Sequence, residues 1–328
     1  MRSETSLKVS VIVPTYQRPD LLERCLDALG RQTLPHDAYE IIVCDDGPGE
    51  AARRVAAQAF AGRPLAPLVR YLEVRNSQGP AGARNMGWRS ARAPIIAFTD
   101  DDTVPDPTWL EAGLAAMTPD VHAVTGRIVM PLPPAPSDIE RDAARLSDAE
   151  FVTANCFIRK DTLDEVGGFD ERFRIAWRED SDLHFNLLER GCTIVQAADA
   201  LVVHPLRPTS FGAGIGMQKK IVYDVLLYCK HPRLYRERIR RRAPWFYLLV
   251  MLLLLGSVVC LAIGRLDWAT ISLSGWAMAT LAFFAWRLAH SAATFRNAFE
   301  LLLTSVCIPP LSIFWRMVGI RRYGAKFP

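Results

Sequence analysis

Two stretches toward the C-terminal end of the chain, Trp245–Ile263 and Trp268–Trp286, contain no charged residue. Each is close to the roughly 20 residues that cross the apolar layer of a bilayer as a helix. Only Gly264–Asp267 separates them, so the pair reads as a hairpin of two transmembrane helices. Trp245, Phe246, Tyr247, Trp268 and Trp286 stand at the run ends, where aromatic rings sit at headgroup depth. Arg236, Arg238, Arg240, Arg241 and Arg242 precede the hairpin, and Arg287 and Arg296 follow it. By the positive-inside rule both flanks face the cytosol, which makes this a multi-pass protein of the inner or plasma membrane with a cytosolic body. A third apolar run, Ala298–Trp315, contains Glu300 and the pair Pro309–Pro310, and is followed by Arg316, Arg321, Arg322 and Lys326. Proline removes a helical donor, and a full crossing would carry those cations outside. A re-entrant or interfacial segment over about 298–315 is therefore expected.

Charge divides the chain in the same place. Of 39 Lys+Arg and 35 Asp+Glu, 13 and 3 lie after residue 232. The sequence thus separates into an acidic cytosolic domain, 1–232, and a basic, apolar tail, 233–328. An acidic body argues against nucleic acid as a partner, because phosphate backbones require clustered Lys and Arg. The tail arginines suit the anionic headgroups of membrane lipid. The seven cysteines form no CxxC pair, and their odd number fits reduced thiols. MRSETSLKVSVIVP lacks the uninterrupted apolar stretch of a signal peptide, so no cleaved leader is expected.

The body alternates strand and helix signals. Val9–Pro14, Glu40–Cys44, Val69–Val74 and Pro94–Thr99 are β-branched or apolar runs. Pro19–Arg31, Gly49–Phe60 and Gly79–Ser90 lie between them with helical spacing. This alternation predicts a doubly wound, mostly parallel α/β sheet. Beyond the Pro-rich connector MPLPPAPS at 130–137, the pattern gives a strand at Phe151–Arg159, helices at Asp161–Val166 and Asp180–Arg190, and a strand at Val195–His204. FGAGIG at 211–216 lacks the βαβ setting of a dinucleotide fingerprint and reads as a loop.

Ligands of such sheets gather at the carboxyl ends of the strands, where the acidic motifs fall. Asp45–Asp46–Gly47 follows the second strand, as a ribose-binding turn or an ordinary Asp-Gly turn. Asp100–Asp101–Asp102 follows the fourth. Three adjacent carboxylates repel one another unless a cation sits among them. In extended chain the first and third point the same way, so Asp100 and Asp102 can share Mg²⁺ or Mn²⁺ while Asp101 faces away. Gly79-Pro80-Ala81-Gly82-Ala83-Arg84-Asn85 opens a helix. It suits either a diphosphate at free N–H groups, with Arg84 adding charge, or close packing of helix on sheet. Glu179–Asp180 precedes an amphipathic helix, as a cap or as a general base. His204 ends a strand, as a structural residue or a metal ligand.

In their joint order, VSVIVPTYQRPDLLERCLDAL, VCDDG, GPAGARNMGW, IIAFTDDDTVPDPTWL and GGFDERFRIAWREDSDLHFNLLERG resemble the family 2 glycosyltransferases over about residues 8–205. The resemblance implies a GT-A fold and a nucleotide-diphosphate sugar as donor. It implies that Pro14, Thr15, Tyr16 and Asp46 hold the nucleotide, and the expected donor site also takes in Arg18, Asp45, Gly79, Arg84, Asn85, Asp100 and Asp101. Asp100 and Asp102 match the DxD motif that binds ribose and metal–diphosphate, with His204 as a third metal-site residue. Asp180, beside Glu179, matches the catalytic base of an inverting transfer. The Gln-x-x-Arg-Trp motif of the processive synthases is absent, which favours transfer of one sugar. The acceptor expected from the tail is a hydroxyl of a lipid-linked or cell-envelope glycan. The alternatives are a polyprenyl phosphate acceptor and a non-catalytic scaffold.

Overall fold

The computed structural model describes residues 7–63, 65–75, 77–292 and 294–324. The chain forms two compact units, one of residues 1–131 and 144–206, the other of 132–143 and 207–328. The division expected at residue 232 leaves 207–232 with the body, whereas the compact units put that segment with the tail.

The first unit begins as an α/β alternation: β1 (Val9–Thr15), α1 (Pro19–Leu29), β2 (Tyr39–Asp45), α2 (Glu50–Gln58), β3 (Leu68–Glu73), α3 (Pro80–Ser90) and β4 (Ile95–Phe98). It continues with β5 (Val104–Pro105), α4 (Trp109–Ala116) and β6 (Ala123–Val129). α5 (Asp138–Ala144) lies almost wholly in the second unit. The first unit resumes with β7 (Cys156–Arg159), α6 (Lys160–Val166), α7 (Glu179–Glu189) and β8 (Ile194–Val203). Eight strands form one sheet in the order β3-β2-β1-β4-β7-β6-β8-β5. The first four are mutually parallel, as are β6 and β8, while β7 runs antiparallel between β4 and β6. Phe151–Arg159, expected to be a strand throughout, is extended in the sheet only from Cys156. Upstream of it, Asn155 takes its own amide N–H to Val152 O in a turn.

Both faces of the parallel half are covered. Val9, Val11 and Val13 of β1 and Ile41 and Val43 of β2 pack with Leu22, Cys25, Leu26 and Leu29 of α1. The alternate residues Ile12, Ile42 and Cys44 join Trp88, Ile96, Phe98, Leu163 and Leu183 on the other face. Burial on both faces explains why these strands read as continuous apolar runs. Each such side chain contributes about 1.5–3 kcal/mol. α3 lies very close to the sheet, since a Cβ at Gly87 would overlap Ile12 Cγ2 and fall 2.8 Å from Cys44 Sγ. Ala81 and Ala83 pack in the same cluster, whereas Gly79 and Gly82 face Arg174 and Ser77 instead.

The second unit contains α8 (Ala213–Met217), α9 (Ile221–Lys230), a short α10 (Pro232–Leu234), α11 (Trp245–Ala262), α12 (Leu266–Ala289) and α13 (Phe295–Tyr323). FGAGIG thus leads into helix α8 instead of staying a loop. α11, α12 and α13 are each long and apolar enough to cross a membrane. The break expected at Pro309–Pro310 does not occur, and α13 is one helix of 29 residues. Both prolines lie inside it, with Pro309 buried.

The second unit also buries polar groups. Arg287, expected to flank the hairpin, lies in the last turn of α12, is buried and pairs with Asp138 at 2.7 Å. It also donates to Thr304 Oγ1 at 2.8 Å and Ser305 Oγ at 3.1 Å. Glu300 accepts from Gly212 N at 2.8 Å, where α8 begins.

Candidate active site

The acidic motifs lie at the carboxyl ends of β2 and β4, on either side of the end of β1, with α7 beside them in the same unit. The Asp100–Asp102 turn is pinned by threonines. Thr103 Oγ1 donates to Asp100 O at 2.7 Å, and Thr99 Oγ1 lies 2.7 Å from Thr103 Oγ1. β5 then pairs antiparallel with the end of β8, Val104 opposite Val203, which brings His204, the residue that follows β8, beside Asp102. His204 Nε2 lies 3.6 Å from Asp102 Oδ1. Asp100, Asp102 and His204 each offer a ligand atom within 4.8 Å of the other two. Two carboxylates and an imidazole, Asp102 and His204 buried, form a donor set for a divalent cation. Carboxylate oxygens suit hard ions such as Mg²⁺ and Mn²⁺.

Asp101 points elsewhere. It accepts from Thr15 Oγ1 at 2.8 Å and lies 3.6 Å from the Arg18 guanidinium. Burial lifts its carboxyl to about 6 against the stabilising Thr15 bond. Thr15 and Arg18 thus meet the DDD segment across the sheet, and the exposed ring of Tyr16 packs over Gly47. Pro14, partly buried, completes the end of β1.

Asp46 and Asp45 divide their duties. Asp46 Oδ2 accepts from Gly79 N at 2.8 Å, while its buried Oδ1 has no hydrogen-bond partner among the described residues. Burial raises this carboxyl. Such an oxygen suits a donor group on a ligand. Gly79 holds φ +114, and a Cβ there would lie 2.7 Å from Arg174 O, so the position accepts only glycine. Asp45, expected in the donor site, is fully buried. Its oxygens accept from Gly47 N at 3.0 Å and Tyr71 Oη at 2.7 Å, so it shapes the turn from within.

Two further expectations change. Asn85 is fully buried and uses all of its amide hydrogen bonds inside the protein. It donates to Phe169 O and Glu171 Oε1 and accepts from Trp88 Nε1 and Phe169 N, all at 2.8–2.9 Å. It fastens the loop ahead of α7 and has nothing left for a sugar. Arg84 is 3% exposed, with Nη2 2.7 Å from Asp100 and Nη1 3.1 Å from Glu179. Burial works against its charge, but the two carboxylates more than offset this and hold the guanidinium protonated. Its expected role, charge offered directly to a diphosphate, does not fit a fork already closed on two carboxylates.

Glu179 and Asp180 open α7. Neither caps it: the N-cap is Arg178, whose φ of 73 is unusual for a residue other than glycine. Such strain is characteristic of functional sites. Glu179 is buried, and its Oε2 has no hydrogen-bond partner among the described residues. Burial is the main cause raising its carboxyl, with the charge of Asp180 second. Asp180 is partly exposed and accepts from Ser181 N at 2.6 Å. Burial raises its carboxyl as well, against that bond and the nearby arginines. A raised carboxyl is a stronger proton acceptor, once ionised, than an ordinary carboxylate. The Arg84 bridge and the conformation of Arg178 had no local sequence signal, because one joins residues 95 apart and the other is a backbone state arginine rarely adopts.

The chain matches the family model Glycosyl transferase family 2 over residues 10–169, and Glycosyl transferase family group 2 over residues 95–318. It is 28% identical over 252 residues to the glycosyltransferase AglE of Haloferax volcanii, covering 72% of this chain and 79% of that protein. It is 25% identical over 281 residues to the validoxylamine A glucosyltransferase of Streptomyces hygroscopicus subsp. limoneus, covering 70% of this chain but only 58% of that one. A shorter match, 35% over 129 residues, joins it to the dolichyl-phosphate beta-glucosyltransferase of Drosophila melanogaster, at 37% and 39% coverage. Among solved structures, the mannosyltransferase PcManGT from Pyrobaculum calidifontis, in complex with GDP-Man and Mn²⁺, superposes with a TM-score of 0.54. That match covers 97% of this chain and 86% of that one at 21% identity, and shows a shared GT-A fold.

Proposed function

Because the chain belongs to the family 2 glycosyltransferases, we propose that it moves a single sugar, with inversion, from a nucleotide-diphosphate sugar to a hydroxyl of a lipid-linked or cell-envelope glycan at a membrane. The observation that carries this reading is one strand-end region holding two kinds of acidic group. Asp100 and Asp102 converge with His204, and Asp180 stands partly exposed with a raised carboxyl.

Asp100, Asp102 and His204 would hold the divalent cation, which when bound supplies charge neutralisation for the diphosphate of the donor and its leaving group. Asp46 Oδ1 accepts from the nucleoside, while Thr15, Tyr16 and Arg18 line the same strand ends. Asp180 takes the proton of the acceptor hydroxyl as that oxygen attacks the anomeric carbon from the face opposite the diphosphate. One displacement inverts the configuration. Holding donor and acceptor together contributes to the acceleration.

The membrane placement rests on the second unit. On α13 the outward side chains include Phe295, Phe299, Leu302, Val306 and Met317, whereas Thr304, Ser305, Ser312, Arg316 and Gly319 are buried. A helix with its polar side inward and its apolar side outward is built for lipid contact. We take α11 and α12 as the crossings, α13 as interfacial, and the catalytic unit as cytosolic at the inner or plasma membrane.

A polyprenyl phosphate acceptor is the second reading, favoured by the dolichyl-phosphate relative. Its phosphate is already ionised and needs no base. Full-length enzyme incubated with a panel of nucleotide sugars and membrane lipid, with released nucleotide measured, identifies the donor. Asp180→Asn then separates the readings: loss of transfer with donor binding retained supports a hydroxyl acceptor, and near-normal transfer supports the phosphate.

A further inference from the structure

The guanidinium of Arg84 spans two functions. Its Nη2 meets Asp100 of the candidate cation cluster at 2.7 Å, and its Nη1 meets Glu179, beside Asp180, at 3.1 Å. All of this is buried except part of Asp100, whose side chain is 25% exposed. Both Arg84 Nε and Glu179 Oε2 are buried without a hydrogen-bond partner among the described residues. Arginine–carboxylate pairs are frequently bidentate, with two parallel bonds to one carboxylate. Here the fork is split between two, which trades a strong bidentate pair for a bridge. Asn85, next in the chain, ties the loop before α7 to α3.

The charges explain the split. An arginine paired with Asp100 alone would cancel the negative charge that a cation needs. Glu179 returns one negative charge to the same guanidinium, so Asp100 keeps its attraction for a cation while its rotamer stays fixed. A lysine lacks the planar fork that reaches two carboxylates in fixed geometry.

We propose that Arg84 is a positioning residue, and Glu179 its counter-charge, that together tie the cation cluster to the start of α7. Glu179 acts on cation affinity without being a ligand, and Arg84 sets the alignment between Asp100 and Asp180. This rests on the reading of Asp100, Asp102 and His204 as a cation site.

The test is Mn²⁺ titration of the full chain in detergent at pH 8, with no nucleotide present, alongside kcat and KM for the donor. Glu179→Gln keeps the size and one acceptor oxygen, so the fold is retained. Its Mn²⁺ affinity is expected to drop about three- to tenfold, because the Arg84 charge then falls on Asp100 alone. The double variant Arg84→Met/Glu179→Gln removes both charges. Its Mn²⁺ affinity is expected within about twofold of wild type, while kcat falls by about 100-fold with little change in KM, because the bridge is gone. Arg84→Lys is expected to restore less than a tenth of the lost kcat, on the order of the fork's contribution. Wild-type Mn²⁺ affinity in Glu179→Gln overturns the proposal, as does a kcat in the double variant close to that of wild type. Failure of the wild-type protein to bind Mn²⁺ at all overturns instead the cation-site reading beneath it.

Discussion

The two units solve opposite problems. The first hides its hydrocarbon, with Val, Ile and Leu side chains on both faces of the sheet, and concentrates buried charge at one edge: Arg84, Asp101, Asp102 and Glu179. The second leaves hydrocarbon outside, with Leu252, Leu261, Trp268, Ile271 and Met278 all more than half exposed, and buries Arg287, Thr304, Ser305 and Arg316. Burial of polar groups is costly in either case unless each finds a partner. In the first unit those charges form ion pairs at the candidate site, and in the second Arg287 ties α12 to α13 and to Asp138. The inversion is what the proposed membrane placement of the second unit calls for, since its three long helices are apolar enough to cross a bilayer.

The comparison is broken most readily at Asp180. Asp180→Asn is expected to lower kcat by about 10²–10⁴-fold, the range of a general base, with donor affinity unchanged by calorimetry. A decrease below tenfold moves Asp180 out of the chemistry. Next in size is Leu252→Asp, at an outward position in the middle of α11. A water-facing site would tolerate it, whereas a bilayer charges about 2.5–3.5 kcal/mol for an acidic residue there. Insertion measured by glycosylation mapping or protease protection should therefore fail or weaken.

The apolar hairpin and the α/β alternation were both legible before any coordinates, because charge-free length and the spacing of Leu21–Leu29 are local properties of the chain. The acidic motifs were legible for the same reason. What escaped was relational. Asp45 and Asp46 are neighbours with identical chemistry, yet one is fully satisfied inside the turn and the other holds an unpartnered oxygen. Asn85 and Arg84 carried donor groups suited to a ligand, and only the fold shows them consumed by Phe169, Glu171, Asp100 and Glu179. Pro309–Pro310 argued for a broken helix, but both prolines lie within the continuous α13. The antiparallel β7 and the two-residue β5, which sets His204 beside Asp102, depend on long-range pairing with no local periodicity.

Arg287→Leu sharpens the contrast at a smaller scale. It strands Asp138, about a third exposed, and the hydroxyls of Thr304 and Ser305. A loss of about 1–3 kcal/mol is expected in detergent unfolding. No loss would show that the buried arginine of the second unit is a bystander. Gly87→Ala should cost about 1–3 kcal/mol through contact with Ile12 and Cys44, without altering the donor KM.

The smallest effect is in pH. The carboxyl of Asp180 is raised in the folded protein, by burial first. Its ionisation therefore opposes folding: this contribution is fully present below the unfolded value and is lost as pH rises through the raised one. Asp180→Asn removes that dependence, so the Tm of the variant should gain on wild type as pH increases. The acid limb of kcat should also lie above the ordinary carboxylate range. A variant whose Tm tracks wild type at every pH would show the carboxyl to be unperturbed.

The claim that two aspartates and a histidine from separate strand ends hold one divalent ion is tested most directly by pulsed electron paramagnetic resonance of Mn²⁺ on the full-length protein. The account predicts a bound Mn²⁺ with a nitrogen coupling from an imidazole that disappears in His204→Ala. A bound ion without that coupling, or a coupling that survives the substitution, would contradict it.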